Sequence, residues 1–527
     1  MRFARLGTAA SNPKDNFQTK MKYFIFEKKR RRRVFFLGHF ATVVVLTGCT
    51  VGPKYRTPSV PMSDSFKEAT PADYATAGTW RLGHPADAAP RGEWWRMFGD
   101  TKLDRLEQDL TVSNQNLKVE EARFREARAM IRYQRASEFP TISTGPNLNS
   151  VKESANQPYF QVPNPSPEGD LQLPFDLSYE FDVWGRIHRT VAAAREEAQA
   201  TAGDLASASL SLHAELAMDY IEVRAADAQQ RLLDDTVKAY ADALRLTQNR
   251  LAGGYAPASD VAQAQTQLDT TKVQDTDIAV ARAQYEHAIA VLIGLPPASF
   301  SLPPAPLDLL PPDVPPGLPS ELLQRRPDIA AAERRVAEAN ERIGIAVAAY
   351  YPSVTFGGSS GFLGTSFANW FAWPSLFWSV GTTMTQQLFD GGRLQAQTDQ
   401  ARASYDEYVA QYRQTTLSAF QQVEDNLAAL RILAGEAQQQ QDAVIAANYS
   451  LQLFNNRYIG GEDTYLQVIT AQTIALQNQR NDVDIQRRRM EAGITLVKAL
   501  GGGWVRSDIP SLKEHGLPPG SVVPLAR

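Results

Sequence analysis

The sequence predicts an α+β membrane protein built from two copies of one helix–strand–strand–long helix–helix unit. Three observations predict this fold. Short motifs recur in the same order in the second half of the chain, two helical stretches are exceptionally long, and one segment alternates apolar and polar residues over a membrane-length distance. A length of 527 residues leaves room for two such units.

Composition excludes several classes of function. Residues 1–48 hold 11 Lys and Arg against two acids, so the remainder of the chain carries a net charge of −13. Nucleic-acid binding needs a basic footprint, which this acidic body lacks. One cysteine and six scattered histidines exclude a disulfide framework and argue against a metal site. No phosphate-binding or catalytic-serine pattern is present, and the sequence predicts neither an enzyme nor a cofactor.

The N-terminus predicts an export signal with a lipid attachment site. The basic block Lys28–Arg33 precedes an apolar run over 34–46, which is too short for a helix to span a bilayer core of about 30 Å. The run ends in Leu46–Cys49, which resembles the lipobox of bacterial lipoproteins. In that resemblance residues 1–48 are a signal peptide, and Cys49 carries a diacylglycerol and an N-linked acyl chain. The alternative is an ordinary signal peptide with an incidental cysteine, but Cys49 is the only cysteine of the chain.

The residues around this signal refine its interpretation. Met21 is a second candidate start, because residues 1–20 add nothing that a signal requires. Position 50 is threonine, so the aspartate that serves as the usual cue for inner-membrane retention is absent. We therefore expect a lipid-anchored protein that is not retained at the inner membrane. Residues 49–92 are predicted to form its lipidated, extended N-terminal segment.

The body of the chain is predicted to be a duplication. Arg250–Gly254 returns as Arg457–Gly461 at an offset of 207 residues, and two further motifs recur at the same offset. Such self-similarity in one order along the chain indicates repeated structural units. The predicted repeats cover 93–300 and 320–505.

A proline-rich stretch joins the two repeats. Ten prolines fall between residues 296 and 319, and proline disrupts helices and central strands because it lacks an N–H group. Residues 301–319 are therefore predicted to be an extended, semi-rigid linker. A proline-rich docking ligand is the alternative. Residues 506–527 are predicted to be a C-terminal tail.

Each repeat predicts three helices in the same order. The first helices cover about 102–138 and 320–349, the long helices about 185–250 and 392–457, and the shorter helices about 258–293 and 463–500. At 1.5 Å per residue, a helix of about 65 residues is about 100 Å long. This length and the apolar residues three and four positions apart indicate coiled-coil-like assembly.

Two segments in each repeat predict strands that face a membrane. Residues 171–183 place apolar side chains at the odd positions and, except for Pro174, polar side chains at the even positions. The segment is long enough for a tilted membrane crossing. A globular sandwich strand alternates in the same way but averages about five or six residues. Weaker alternation predicts strands at about 351–363 and 376–389 in the second repeat. A further strand of the first repeat is predicted at about 139–149. Four strands cannot close a membrane barrel, so the chain is predicted to oligomerise through them.

Three motifs resemble a known family. Cys49–Pro58, Trp94–Asp100 and Leu322–Ile329 look like those of the TolC-like outer-membrane efflux proteins, in the lipoprotein branch named after NodT and OprM. The resemblance covers essentially the whole mature chain. It implies a homotrimer, in which a 12-stranded outer-membrane β-barrel is continued by a long periplasmic α-helical barrel.

The resemblance also implies a function. The implied function is that of an exit duct, which passively conducts small amphiphilic compounds to the exterior as one part of a tripartite efflux pump. The implied partners are a periplasmic membrane-fusion adaptor, an inner-membrane transporter of the resistance-nodulation-division type, and outer-membrane lipid. Two alternatives stay open: a type I protein-secretion duct, and a structural coiled-coil lipoprotein.

By position, the turns after the two long helices correspond to the adaptor-facing periplasmic tips of the family. The residues concerned are Gly253, Gly254, Gly460, Gly461, Glu462 and Asp463. The alternative is that the glycines merely permit the reversal of the chain between helices.

The family resemblance also implies a periplasmic aperture at the helix after the second turn. There, a leucine and, one turn later, an aspartate narrow the closed channel of the family. Leu466 matches the leucine, but Thr470 stands at the aspartate position, and Gln467 at a nearby position that is acidic in some relatives. Whether an acidic ring exists therefore stays open, with Asp463 or Glu462 as substitutes. The alternative for Leu466 is a seam residue buried between helices.

The lipobox makes a direct prediction. Cys49→Ser should abolish acylation but only weaken export, because the predicted strands would still anchor the protein. Metabolic labelling with a radioactive fatty acid checks this, with the unsubstituted protein as the positive control. Label on the variant would contradict the lipobox assignment.

Overall fold

The computed structural model describes most of the chain between residues 50 and 510. The described residues are 50–63, 65–69, 92–152, 154–156, 166–309, 311–312, 319–504, 508 and 510. The predicted signal peptide, Cys49 and nearly all of the predicted C-terminal tail lie outside them.

The described residues divide into two compact units. The sheet unit is formed by Ser137–Arg189 and Gly344–Gln395, together with the described residues up to Pro53. The helix unit is formed by Lys54–Ala136, Thr190–Ile343 and the residues from Ala396 onward.

The sheet unit contains one antiparallel sheet. Its strands within the described residues are β1 Thr141–Thr144, β2 Asn147–Val151, β3 Glu168–Phe181, β4 Ser353–Gly364 and β5 Leu376–Thr385. β3 pairs with β1 and β2 on one side and with β4 on the other, and β5 pairs with β4. β1 and β2 thus stand where one strand is predicted over about 139–149. Pro146 lies in the interruption between them and has no N–H to donate to the ladder.

The helices follow the predicted order, with one additional break in each repeat. Those that the structure describes are α1 Thr101–Ser113, α2 Gln115–Arg135, α3 Arg186–Ala252, α4 Ala258–Leu292, α5 Pro319–Arg325, α6 Pro327–Ala348, α7 Arg393–Gly460 and α8 Tyr465–Ala499. The long helices α3 and α7 have 67 and 68 residues. No helix in the described parts of the chain is long and apolar enough to cross a bilayer.

Asn114 breaks the first helix of the first repeat, so the prediction of a single helix there is wrong. Its backbone is extended (φ −60°, ψ 127°), and its side-chain oxygen accepts a hydrogen bond from the N–H of Leu117, as an N-cap does. Its Nδ2 donates to the carbonyl of Leu292, the last residue of α4, at 2.7 Å. One buried amide therefore serves the start of α2 and the end of α4.

The corresponding break in the second repeat is at Arg326, so the prediction of a single helix over about 320–349 is also wrong. A proline disfavours helical geometry in the residue before it, and Pro327 follows directly. The Arg326 guanidinium donates to both carboxylate oxygens of Asp328, at 3.0 and 2.6 Å. It also donates to the carbonyl of Ala499, the last residue of α8, at 3.1 Å. The arginine thus caps the end of α8.

The tryptophan motif contributes to a large hydrophobic cluster of the helix unit. Trp94, Trp95 and Phe98 are buried in a cluster with residues of α1, α3, α4 and α8. The hydroxyl of buried Tyr220 on α3 donates to Asp100 Oδ2 at 2.5 Å. Asp100 also caps α1 by accepting from two of its first backbone N–H groups. The motif therefore joins α1 to α3.

The described part of the proline-rich linker packs against the helix unit. Leu302 is buried, and the N–H of Ala305 donates to Asp227 Oδ2 at 3.0 Å. Asp227 on α3 also accepts from Arg224 Nη1 at 2.9 Å and from Arg282 Nε at 2.7 Å. A buried charge cluster therefore fixes the linker to α3 and α4.

The residues after Pro53 form a strap on the helix unit without regular secondary structure in the described positions. The hydroxyl of Tyr55 donates to Glu333 Oε1 at 2.5 Å. The backbone N–H groups of Lys67 and Glu68 donate to the carboxylate of Glu424 at 2.8 and 3.0 Å. Two carboxylates on separate helices therefore hold this strap.

The linker cluster generates a stability prediction. Asp227→Ala leaves buried Arg224 without its counter-ion, so we expect the free energy of unfolding to fall by about 3–5 kcal/mol. Asp242→Ala on the same helix is the matched control, because its ion pair with Arg245 is exposed (68% and 74% of the side chains). The control should change the free energy by less than about 1 kcal/mol. Urea unfolding followed by circular dichroism measures both, and equal losses would contradict the role of Asp227.

Candidate functional sites in the sheet and the glycine turns

The register of the sheet gathers the apolar side chains of its strands on one face. Directly opposed residues of an antiparallel pair share a face. Leu177 is opposite Ile142 on β1 and Gly358 on β4, and Gly358 is opposite Val380 on β5. The apolar residues of this face are Ile142, Leu148, Leu171, Leu173, Phe175, Leu177, Tyr179, Phe181, Val354, Phe356, Phe362, Leu376, Trp378, Val380 and Met384.

The opposite face of the sheet is mainly polar. Its polar residues are Thr141, Ser143, Asn147, Asn149, Glu168, Asp170, Gln172, Asp176, Ser178, Glu180, Ser353, Thr355, Ser359, Ser379, Thr383 and Thr385. Val151, Pro174, Leu363 and Phe377 are its apolar exceptions. Phe175 and Trp378 on the apolar face are exposed in the single chain. An exposed apolar face of this extent marks a surface that meets lipid or protein.

The sheet has two edges that no described strand covers. β1 and β2 pair only with β3, and β5 pairs only with β4. The backbone N–H and C=O groups on the far side of these strands therefore have no partner strand in the described chain. With β1 and β2 counted as one interrupted strand, the sheet is four strands wide. Its backbone pairing is therefore incomplete within the described residues.

Both long helices end in a glycine turn of the same geometry. Gly254 and Gly461 each have a φ of 77°, in the left-handed region that glycine adopts at little cost. The N–H of the residue after each glycine donates to the carbonyl of Arg250 or Arg457, at 2.8 and 2.9 Å. These bonds close the helix ends as in a Schellman motif. Gly253 and Gly460 directly precede the two positions.

The two glycine turns contact each other through one arginine. Nη1 of Arg250 donates to the carbonyl of Ile459 at 2.9 Å, and its guanidinium lies 4.7 Å from the centre of the Tyr458 ring. Sequence reasoning does not find this role for Arg250. The available signal is a difference between the repeats, because residue 251 is leucine whereas its counterpart Tyr458 offers a ring to a cation.

A hydrophobic cluster next to the turns joins the four helices that meet there. Its buried members are Tyr240, Leu244, Ala264, Leu268, Tyr458, Tyr465 and Val468. The rings of Tyr458 and Tyr465 are 5.1 Å apart. Burial raises the pKa of Tyr465 to about 12, so its hydroxyl stays protonated at neutral pH. A packed cluster of uncharged side chains therefore supports both turns.

Leu466 lies outside this cluster. Its side chain is 55% exposed, whereas Tyr465 and Val468 are 2% and 1% exposed. Gln467 and Thr470 are also exposed, so the three aperture candidates share a free surface of α8. Within a single chain, Leu466 is not buried between helices.

The two acids of the second turn differ in their surroundings. Asp463 accepts a hydrogen bond from Arg457 Nε at 2.5 Å, whereas Glu462 is 3.9 Å from the same nitrogen and 66% exposed. The counterparts of these acids in the first turn are Tyr255 and Ala256, which are uncharged. Neither these acids nor any other group of His, Cys, Asp and Glu in the described residues is placed to hold a metal ion.

The residues after Cys49 have a defined place in the sheet unit. The N–H of Val51 donates to the carbonyl of Trp184 at 3.2 Å. Gly185 has a φ of 78°, and a Cβ added there would lie 2.7 Å from the Thr50 methyl carbon. The chain following Cys49 is therefore held at the connection between β3 and α3, where only glycine leaves it room.

Comparison with known proteins identifies the family. The model of the family described as outer membrane efflux protein matches residues 106–295 and 318–502. The toluene efflux pump outer membrane protein TtgC of Pseudomonas putida is 31% identical over 466 residues, which are 88% of this chain and 94% of that protein. Outer membrane protein OprJ of Pseudomonas aeruginosa is 30% identical over 90% of this chain and 97% of its own length.

A solved structure agrees with these sequence matches. The open-state MtrE outer membrane channel of Neisseria gonorrhoeae has a TM-score of 0.76 and 26% identity, and the match covers 87% of this chain and 99% of that one. The helices and the two-faced sheet therefore define an outer-membrane efflux channel fold. The chain belongs to the outer membrane efflux protein family, so the resemblance that its motifs predict is confirmed, as are the outer-membrane location and the role in efflux.

Proposed function

We propose that three copies of this chain form the outer-membrane exit duct of a tripartite efflux pump. Their sheets join edge to edge into a 12-stranded β-barrel, and their helices continue into the periplasm as a long α-helical barrel. The observation that carries the proposal is the two-faced sheet with two uncovered edges.

The hydrogen bonding of the sheet supports this assembly. An uncovered edge inside a bilayer leaves backbone groups without partners, which costs several kcal/mol per group. Pairing β5 of one copy with β1 and β2 of the next removes every edge when the ring closes. A barrel of about eight strands has an interior that side chains fill, so two copies would leave no duct. Three copies, the number that the family resemblance implies, leave an interior lined by the polar face.

The proposed partners follow from the glycine turns and from the relatives. TtgC is named as the outer membrane protein of an efflux pump, which implies further pump components. A periplasmic membrane-fusion adaptor would meet the joined turns, which expose Tyr255 on one side and Glu462 on the other. An inner-membrane transporter, of the resistance-nodulation-division type, would supply the energy. The duct itself would be passive and need no cofactor.

The proposed cargo is small amphiphilic compounds. The name of TtgC mentions toluene, a small apolar molecule, which supports this class of cargo over a secreted protein. A structural stalk lipoprotein would not require a sheet with one exposed apolar face and one polar face. We therefore retain neither a type I secretion duct nor a structural lipoprotein as a second function.

A lipid on Cys49 would add a second membrane anchor. In this proposal Cys49 carries a diacylglycerol and an N-linked acyl chain. The packing of Thr50 against Gly185 supports it, because acyl chains attached one residue earlier would begin beside the sheet unit. The apolar face of that unit is the surface that meets lipid.

The proposed aperture is a ring of Leu466 side chains with Gln467 and Thr470 beside them. The exposure of Leu466 in the single chain supports this placement, because three copies can then present it to a common axis. Apolar side chains around a narrow pore can close it by excluding water. The ring would lack an acid at position 470, and Glu462 at the turn is the more accessible acid nearby.

The sheet provides the test of the proposed function. Leu177→Arg puts a charge at the middle of the apolar face, where membrane insertion should cost about 2–4 kcal/mol. We expect less outer-membrane trimer and higher accumulation of a fluorescent amphiphilic dye in cells that depend on this duct. Ser178→Arg, one residue along on the polar face, should leave both measurements near those of the unsubstituted protein. Tolerance of Leu177→Arg, or greater damage from Ser178→Arg, would contradict the proposal.

The aperture makes a separate prediction. Leu466→Ser should raise passive conductance in a planar bilayer without lowering trimer yield, because the exposed side chain contributes little to packing. Val468→Ser is the matched control, two residues away and 1% exposed. It should lower trimer yield, since truncating a buried apolar side chain and burying a hydroxyl cost about 2–5 kcal/mol. Lower trimer yield without added conductance in Leu466→Ser would refute the gate.

A further inference from the structure

Two stripes of opposite charge lie on the surface of the helix unit. On α2, Arg125 and Arg132 are exposed and seven residues apart. On α7, Asp399 and Asp406 are exposed with the same spacing. Seven residues are nearly two helical turns, so each pair lies on one helix face with its members about 10.5 Å apart.

The arginine stripe lies on one exposed flank of α2. Arg123 and Met130, on the other flank of α2, line a groove of about 650 Å³ that α2 shares with α3. Arg123 forms an ion pair with Glu120 at 2.6 Å. The guanidinium groups of Arg125 and Arg132 form no ion pair or hydrogen bond with any residue that the structure describes. Two guanidinium groups are therefore available to another molecule.

The aspartate stripe is equally accessible. Thr398 and Tyr412 mark the buried side of α7, and Asp399 and Asp406 lie on a different side of the helix. Asp399 has only a long ion pair with Arg402, at 3.6 Å between exposed side chains. Asp406 has no partner among the described residues.

We propose that the arginine stripe of α2 binds the aspartate stripe of α7 in the neighbouring copy and fixes the register between copies. This proposal rests on the proposed trimer. α2 leads into edge strand β1, and α7 follows edge strand β5. Edge-to-edge pairing of two copies therefore brings these two helices to the same boundary. α2 runs toward its edge strand and α7 away from its own, so Arg132 pairs with Asp399 and Arg125 with Asp406.

Small side chains beside the charged residues would let α2 of one copy and α7 of the next approach closely. Ala122 and Ala129 are exposed on α2 near the arginines, and Ala403 and Ala410 are exposed on α7 near the aspartates. Each pair again has a spacing of seven residues. Helices that meet through alanine can come close enough for the longer charged side chains to reach across. We call the two proposed ion pairs, Arg132 with Asp399 and Arg125 with Asp406, the ladder. Because exposed ion pairs are individually weak, we expect the ladder to fix the register and the choice of partner more than to raise the stability of the trimer.

Charge reversal in the full-length, membrane-extracted protein tests the ladder. The variants Arg125→Glu with Arg132→Glu, and Asp399→Arg with Asp406→Arg, each place like charges at every boundary. Each should lower the ratio of trimer to monomer by about tenfold, measured by size-exclusion chromatography with light scattering at low salt. Combining all four substitutions restores opposite charges and should return the ratio to within about twofold of the original. Arg123→Glu, on the groove flank of α2, is the matched control and should leave the ratio unchanged.

A cysteine pair locates the contact independently. Arg132→Cys together with Asp399→Cys should give covalently linked dimers and trimers on non-reducing gels, whereas Arg123→Cys with Asp399→Cys should not. Trimers that tolerate both double reversals, or a quadruple variant that stays monomeric, would overturn the ladder.

The outcomes also separate the ladder from the proposed function. If the unsubstituted protein is a trimer that exports dye and the reversals do not disturb it, the ladder is overturned and the duct stands. If the unsubstituted protein is a monomer, both are overturned. If the reversals spare the trimer but abolish co-purification of the adaptor, the stripes bind the adaptor, and the ladder between copies is overturned.

Discussion

The backbone hydrogen bonds of the two sheet edges are the constraint on which the rest of this molecule depends. A sheet four strands wide, apolar on one face and polar on the other, has no low-energy state as a single copy in lipid. Its apolar face needs the hydrocarbon, but its edges cannot be hydrated there. In the proposed trimer, neighbouring copies supply both the missing hydrogen bonds and a polar interior. The case for this assembly thus rests on the sheet alone, before any helix is considered.

The duplication preserves backbone geometry more closely than side-chain chemistry. Each long helix is followed by a glycine with the same positive φ, because the reversal of the chain allows few alternatives. The breaks in the first helices are achieved differently, by the Asn114 side chain in one repeat and by Pro327 with Arg326 in the other. The turns have also diverged, since the first has Tyr255 and Ala256 where the second has the acids Glu462 and Asp463. One chain therefore presents two chemically distinct turns to a partner.

The features that could be predicted from the sequence are those whose physical cause is local. The alternation over 171–183 identifies the two faces of β3 because successive side chains of a strand point in opposite directions. The lengths of α3 and α7 follow from the absence of proline in long periodic stretches. The glycine turns follow from the adjacent glycines after each long helix, which permit a positive φ. Each of these depends on residues within a few positions of one another.

The features that sequence reasoning missed depend on distant partners. Asn114 ends α1 partly because its amide reaches Leu292, and the linker is fixed because Asp227 on α3 holds Ala305. Arg250 joins the two turns across 209 residues of sequence. The exposure of Leu466 likewise depends on distant residues, because other helices bury its neighbours Tyr465 and Val468 and leave Leu466 outside the cluster. No periodicity within a single segment carries this information.

The central claim is that other copies of the chain complete the edges of the sheet. Native mass spectrometry of the protein extracted from outer membranes in mild detergent tests this claim most directly. The account predicts one species with the mass of three lipid-modified chains and no folded monomer. A folded, membrane-inserted monomer would contradict the claim itself, and a dimer would contradict the 12-stranded barrel that follows from it.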